Sequence, residues 1–429
     1  MSDTVFTRCP PKRIGFISTR FHGTDGVTLE ARKWADILKK MGHDCFWMAG
    51  LLDAPAGSGY TAPLAFFNHP RVAALQGRLF SVTKRNREIT REIQTLKDLL
   101  KDEIYRFIEQ FKLEVLIPQN IMAIPMHVAL GLAMTEVIAE TGLPTIAHHH
   151  DFAWERERFT LTAVNDYLRA AFPASLPGVE HVVINSMAQK ELARRCSLPS
   201  AIIPNVLDYE TPAPGLDDYN RDVRQEIGLA DSDWFILQPT RVVARKGIEH
   251  AIELVRQLKD PRAKLVISHP AGDEGNAYMQ LMRDRIEEAK IDVRFIADRV
   301  GETRGRTPEG RKIYTLFDVY PHADLVTYPS HYEGFGNAFL EAIYFGKPVV
   351  VNTYAVYARD IGPLGFQIIA MSQFITREVV AETRELLTNT ALRANWALKN
   401  YQLALKYFSY AVARRKLTAR LANLFGEGF

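Results

Sequence analysis

Short apolar runs alternate with longer amphipathic segments along most of this 429-residue chain. RIGFIS (13–18) reads as a first strand, 29–41 as a helix closed by Gly42, and 45–48 as a second strand. EVLIPQN (114–120), PTIAHHH (144–150), HVVIN (181–185) and AIIPN (201–205) follow as strands, each pair separated by a plausible helix. The stretch DYETPAPGLDDY (208–219), with its prolines, glycine and acidic residues, reads as a linker. The rhythm then restarts with WFILQP, AKLVIS, VRFIA, ADLVTY, PVVVN and FQIIA, at 234–239, 263–268, 293–297, 323–328, 348–352 and 366–370. A long amphipathic segment, 407–425, closes the chain. Strand–helix alternation of this kind predicts parallel sheets covered on both faces. A chain this long exceeds one ordinary core. The expectation is therefore α/β, as two doubly wound Rossmann-like domains, 1–207 and 208–407. Ligands in such sheets bind at the carboxyl ends of strands near the switch point, and two facing domains place them in a cleft.

The region 51–117 breaks the rhythm. A Gly/Pro/Ala-rich stretch (54–63) precedes a long charged helix over 84–112. Its charges read as a solvated face supported by ion pairs. The other reading is a surface helix that touches an acceptor or an anionic membrane. The stretch 115–135 holds no Lys, Arg, Asp or Glu, but Pro118, Gln119, Asn120 and Pro125 make it a strand, a loop and a helix start rather than a membrane span. No secretory leader is expected, because Pro10 to Arg13 precede only a short apolar run. The composition, 47% hydrophobic and 24% charged with net charge +3, is globular and only mildly basic. It offers no basic stripe or stacking motif for nucleic acid. Cys9, Cys45 and Cys196 are scattered without metal-ligand spacing, which suits free thiols in a reducing, cytoplasmic setting.

Four stretches carry chemistry. In HYEGFGNAFLEAIYFGKPVV (331–350), Gly334 and Gly336 let the backbone approach a ligand, and a helix starting near Asn337 offers free N–H groups to a diphosphate. Glu341 lies one turn into that helix and Glu333 lies before the turn; either carboxylate can accept hydrogen bonds from a sugar diol. In QPTRVVARKGIEHAIEL, Arg241, Arg245 and Lys246 crowd the start of a helix. Cations there oppose the helix dipole, so an anion bound among them is the better account than local stability. In ISTRFHGTDGVTLEARKW, the loop with Gly23, Asp25 and Gly26 leaves the first strand, but its spacing is not a dinucleotide fingerprint. In AHHHDFAWERERF, His148, His149, His150 and Asp151 end a strand; neighbours alternate faces, so all three histidines cannot hold one ion. Trp154, Glu155 and Arg156 shape an acceptor pocket or cap the next helix.

Together these stretches resemble the retaining glycosyltransferases of the two-Rossmann-domain (GT-B) type, glycosyltransferase family 4, over nearly the whole chain. EGFGNAFLE (333–341) looks like the family's E-x7-E motif, and TRVVARKG like its donor-phosphate loop. IIPNVLD is similar to its interdomain stretch, with Val206 where glycine is usual, and HGTDGV to its N-terminal glycine loop. The resemblance implies the following. A nucleotide sugar, UDP- or GDP-linked, is the co-substrate, and no metal is required. Arg241 and Lys246 take the diphosphate, and Gly336, Asn337 and Ala338 face it or the sugar. Asp25 and Gly26 lie under the donor phosphates, Glu341 holds the ribose, and Glu333 lies beside the transferred sugar. The base rests against the loop around Arg299 and Val300. His149 is the active-site histidine, with His148 and His150 left open, and His150, Asp151 and Trp154 meet the acceptor. The segment 408–429 crosses back onto the first domain.

The expected function is transfer of a glucosyl or mannosyl group to a small hydroxylated acceptor, such as a sugar or glycerate derivative. No nucleic-acid partner and no membrane contact are expected, and a homo-oligomer stays open. The alternatives are a peripheral membrane transferase with a lipid-linked or polysaccharide acceptor, or a non-transferase GT-B enzyme such as a sugar-nucleotide epimerase.

Overall fold

A computed structural model describes residues 10–23, 25–271 and 277–426, so Cys9 lies outside the described residues. The chain divides into two compact units, 1–204 with 411–429, and 205–410.

The first unit is built on a seven-stranded parallel sheet. Its strands are β1 (Arg13–Ile17), β2 (Asp44–Ala49), β3 (Gly59–Thr61), β4 (Val115–Pro118), β5 (Thr145–His149), β6 (Val179–Val183) and β7 (Ala201–Ile202). They lie in the order β3-β2-β1-β4-β5-β6-β7, so the winding reverses between β1 and β4. Helix α1 (Gly26–Lys40) buries Ala31, Trp34, Ala35 and Leu38, the i, i+3, i+4, i+7 stripe of a helix laid on a sheet.

Helix α2 (Arg87–Phe111) carries the solvated charged face that its sequence suggested, with most of its charges exposed. Ile93, Leu96, Leu100, Ile104, Phe107 and Phe111 form its apolar inner face, with Lys97 buried beside them. Its ion pairs are not mainly between its own turns. They reach across to α3 (Val128–Thr141): Lys97 Nζ donates to Glu136 Oε1 at 2.8 Å, and Lys101 pairs with Glu140. The charge run is the rim of a helix–helix contact, with the Lys97 stem buried beneath it. Helix α4 (Ser186–Cys196) follows β6. The last helix, Tyr410–Phe425, closes this unit: Lys416 Nζ donates to Ile202 O at 2.8 Å, and Arg420 Nη1 to Glu180 Oε2 at 2.8 Å.

The second unit repeats the plan with β8 (Trp234–Gln238), β9 (Ala263–Ile267), β10 (Asp292–Phe295), β11 (Leu325–Tyr328), β12 (Val349–Asn352) and β13 (Ile369–Met371). Their order is β10-β9-β8-β11-β12-β13, all parallel, with the reversal between β8 and β11. Ile236, Leu265, Ile267, Leu325 and Val350 fill one core face of this sheet. The two units are thus two Rossmann-like domains, the architecture of the GT-B fold. Among the described residues, no helix is long and apolar enough to cross a membrane.

Candidate active site

One cluster of charged residues in the second unit lies where its strand order reverses, the place where open α/β sheets bind ligands. From β8 the chain runs through Arg241 and the turn Ala244–Lys246 into α5 (Ile248–Leu258). From β11 it runs through Ser330, His331 and Glu333 into α6 (Asn337–Tyr344). Beneath these loops Thr327 Oγ1 donates to Gln238 Oε1 at 2.6 Å, and Gln238 Nε2 donates to Thr240 Oγ1 at 2.8 Å. All three side chains are buried, so the network fixes the two strand ends against each other.

Lys246 Nζ donates to Glu333 Oε1, and Arg245 Nη1 lies 3.4 Å from Glu333 Oε2. Burial alone would raise the Glu333 carboxyl, but Lys246 and Arg245 outweigh it and hold the group below the usual carboxylate range. Burial pushes Lys246 below its ordinary value, and the attraction of Glu333 offsets this only in part. The Arg241 side chain is exposed, and its guanidinium has no hydrogen bond or ion pair with any described residue. His269, on the loop after β9, is pushed down to about 4 by burial and then by Arg241 and Lys246. Lys246 and Arg245 thus meet the Glu333 carboxylate, with Arg241 and the neutral His269 imidazole near Lys246. Such a site has excess positive charge in a partly desolvated setting, and it suits a polyanion such as a diphosphate.

The glycine turn sits beside this cluster. Gly336 has φ +138°, and a Cβ there would lie 2.5 Å from Tyr354 Oη, which donates to Phe335 O. Gly247 has φ +61°, and its Cβ would lie 2.4 Å from Pro329 O, so the two loops meet backbone to backbone. No side chain caps α6, so the first-turn N–H groups at Asn337 and Ala338 are left for an acceptor outside the helix. The Asn337 side chain is itself held, accepting from Asn205 Nδ2 at 2.8 Å. Glu341, half-buried, accepts from the fully buried Tyr320 hydroxyl at 2.9 Å, which orients its carboxylate.

Arg299 does not stand ready for a base. Its Nη2 pairs with Glu226 Oε2 at 2.6 Å, its Nε donates to Lys312 O at 2.8 Å, and the residue is 6% exposed. Its guanidinium is part of the domain's own packing. Val300 is engaged through its backbone in a bridge to Tyr314.

In the first unit the histidines at the end of β5 alternate as strand geometry requires, with His149 on one side and His148 and His150 on the other. Its Nε2 meets His181 Nδ1 at 2.9 Å, it packs near Phe152, and it is 1% exposed. His148 and His150 share the opposite side. The Gln119 side-chain oxygen bridges His148 Nδ1 at 3.0 Å and His150 Nε2 at 2.9 Å, and Trp34 stacks on His148 with centroids 3.9 Å apart. His148 is fully buried, while His150 is half-buried and its Nδ1 has no hydrogen bond with a described residue. Burial pushes His150 down to about 4, with Asp151 and Asp25 pulling the other way, so its imidazole is neutral near pH 7.

Asp25 is close to His150 but is committed to α1. It caps the helix through Val27 N at 3.1 Å and Thr28 N at 3.2 Å, with Gly26 as the first helical residue. Asp151 is held by Asn120 Nδ2 at 2.6 Å and Arg156 Nε at 2.8 Å. Trp154 is half-buried. It stacks on Phe152 at 4.4 Å within the cluster formed by Val183, Leu192 and Leu198. Sequence reasoning missed Gln119, Asn120 and His269. Each directly follows a strand or its last residues at a carboxyl end, and that position was the available signal.

The profile described as "Glycosyl transferases group 1" matches residues 220–402. Mannosylglucosylglycerate synthase of Petrotoga mobilis is 32% identical over 380 residues, covering 83% of this chain and 86% of that one. The protein of the same name from Thermotoga maritima is 29% identical over 429 residues, covering 92% and 96%. Among solved structures, a glycosyltransferase from Rickettsia africae has a TM-score of 0.69 at 13% identity, covering 98% of this chain and all (100%) of the other. Anabaena HepE, solved with UDP-glucose, has a TM-score of 0.65 at 14% identity, covering 96% and 100%. These last two likenesses establish the fold. With the switch-point site, the profile and the relatives taken together, the chain belongs to the glycosyl transferases group 1 family and is a glycosyltransferase of GT-B fold.

Proposed function

We propose that the chain is a retaining, metal-independent hexosyltransferase of glycosyltransferase family 4. It moves a glucosyl or mannosyl group from a UDP- or GDP-linked donor to a small polar acceptor, a sugar or glycerate derivative, in the cytoplasm. The observation that carries this is the cation cluster Arg241, Arg245 and Lys246 around buried Glu333, beside an uncapped helix N-terminus. The names of the Petrotoga and Thermotoga relatives support the glycerate-type acceptor.

In this reading Arg241, Lys246 and the α6 N-terminus neutralise the departing diphosphate while positive charge develops on the sugar. Glu333 lies beside the sugar hydroxyls and Glu341 takes the ribose. The acceptor hydroxyl attacks from the face that the diphosphate leaves, and its proton passes to that phosphate. The chain's own cations supply the charge neutralisation, so no step calls for a metal. Of the three histidines we assign His150 to the sugar, because it alone combines partial exposure with an unengaged ring nitrogen. The Arg299 side chain has no part, and the base meets only the backbone around Val300.

The test is thermal unfolding with UDP, GDP and ADP and their sugar conjugates in the presence of a chelator. A ligand at about 100 times its Kd adds roughly 2.7 kcal/mol to stability. Stabilisation by one base family, followed by transfer to glucosylglycerate with retained anomeric configuration, is the expected result. A folded protein that responds to no nucleotide would refute the donor site.

A further inference from the structure

Beside the donor-site cluster, but not part of it, two imidazoles and a carboxylate converge. Glu249 and His250 lie in the first turn of α5 and His331 follows β11. One ligand atom from each lies within 4.8 Å of the other two. His331 Nε2 is 3.3 Å from Glu249 Oε1. Ligands on a tetrahedral zinc-class ion at bond lengths of about 2.1 Å sit about 3.4 Å apart. The second carboxylate oxygen, Oε2, accepts from the Tyr278 hydroxyl, which itself accepts from Ile248 N at 3.0 Å. Glu249 is thus oriented by an outer partner with its other oxygen turned to His331, the arrangement that metal-ligating carboxylates use. His250 Nε2 is buried and has no hydrogen-bond partner. An ordinary ion pair between His331 and Glu249 leaves that nitrogen unexplained.

We propose that Glu249, His250 and His331 form a binding site for a divalent transition ion of the zinc class. Two imidazoles and one carboxylate favour such an ion over magnesium or calcium, which prefer all-oxygen sites. The neighbouring cation Arg285 holds its affinity down. The ion is accessory to sugar transfer. It joins the start of α5, just after Lys246, to the loop that carries Glu333, and so pins together the two loops that bear the donor-site charges.

The full-length protein, stripped with chelator, is titrated with Co2+ and followed by its visible absorption, then challenged with Zn2+. One saturable Co2+ per chain, displaced by Zn2+, is expected. His331→Asn and His250→Gln should each weaken binding at least tenfold, the lower end of what even an outer partner contributes. His331 is well exposed, so His331→Asn keeps the test valid should the buried-side variant fail to fold. The proposal is overturned if folded protein binds no stoichiometric Co2+, or if both variants bind it as the parent does, with the ion then held by thiols or other groups. Turnover in chelator is a separate readout. Its loss would refute the metal-independent transfer proposed above and leave this site standing.

Discussion

Arg241 is the cleanest lever on the proposed donor site, because its structural role and its proposed functional role separate. Its guanidinium is exposed and bonded to nothing among the described residues. Arg241→Ala should therefore change stability by no more than about 0.5 kcal/mol, the usual range for surface substitutions. For a unit of this size that is about 1–2 °C in Tm. Its electrostatic role should be far larger. A unit charge at about 4 Å from a developing phosphate charge, at an effective dielectric of about 20, is worth about 4 kcal/mol. Loss of a preorganised donor at such a position costs roughly 2.7–4 kcal/mol, or about 100- to 1000-fold in kcat. The assay pairs a thermal melt with steady-state turnover at saturating nucleotide sugar. A variant with unchanged Tm and kcat down at least 100-fold is expected. Full turnover at saturating donor would remove Arg241 from the transition state. A Tm fall of about 5 °C or more would show instead that the side chain serves the fold.

Three further outcomes follow from buried groups. Glu333→Gln leaves Lys246 and Arg245 without their carboxylate, and urea unfolding should register a loss of about 3 kcal/mol; unchanged stability would mean that the pair is not desolvated in solution. His127 should make stability acid-sensitive. Its Nδ1 accepts from Leu130 N and its Nε2–H donates to Leu64 O, and burial pushes it down to about 4. A histidine depressed in the fold stabilises fully above its unfolded value of about 6.5 and loses that contribution as pH falls toward 4, at about 1.4 kcal/mol per pH unit. His127→Gln should flatten that part of the profile, and an unchanged slope would refute the assignment. Gly336→Ala should cost about 1–3 kcal/mol through its positive φ and its approach to Tyr354 Oη, with Tyr354→Phe recovering part in a double-variant melt; an unaffected single variant would contradict the tight turn.

Much of the fold was legible because both sheets are parallel and buried, so their strands stand out as apolar runs separated by crossover helices. Three-residue β3 was not legible. It is an edge strand in a Gly/Pro/Ala-rich stretch, where neither pattern nor propensity marks it. Helix α2 was placed correctly and its charged face is largely solvated, but the cross-helix partners of two of its lysines were not foreseen. Lys97 and Lys101 look outward on a helical wheel, and only tertiary packing brings Glu136 and Glu140 to them. The histidine triplet shows the same limit. A period of two tells that His149 opposes its neighbours, and nothing local tells which side meets the ligand. The side chains are held by Gln119, after one neighbouring strand, and by His181, within the other.

The two loop arginines, Arg241 and Arg299, make the general point in physical terms. Both follow strands at carboxyl ends, and both carry a charge that a phosphate or a base could use. Arg299 is neutralised from within by Glu226, so its desolvation is already compensated and no ligand is called for. At the α5 start Arg245 and Lys246 meet Glu333, while the exposed Arg241 has no partner among the described residues, beneath a helix end of the same sign. A cation such as Arg241, left unpaired among the described residues beside a helix end of the same sign, is a ready partner for a bound anion. The sign of that imbalance was readable in the sequence, because it needed only the spacing of three charges before a helix. The compensation of Arg299 was not, because its partner stands 73 residues away.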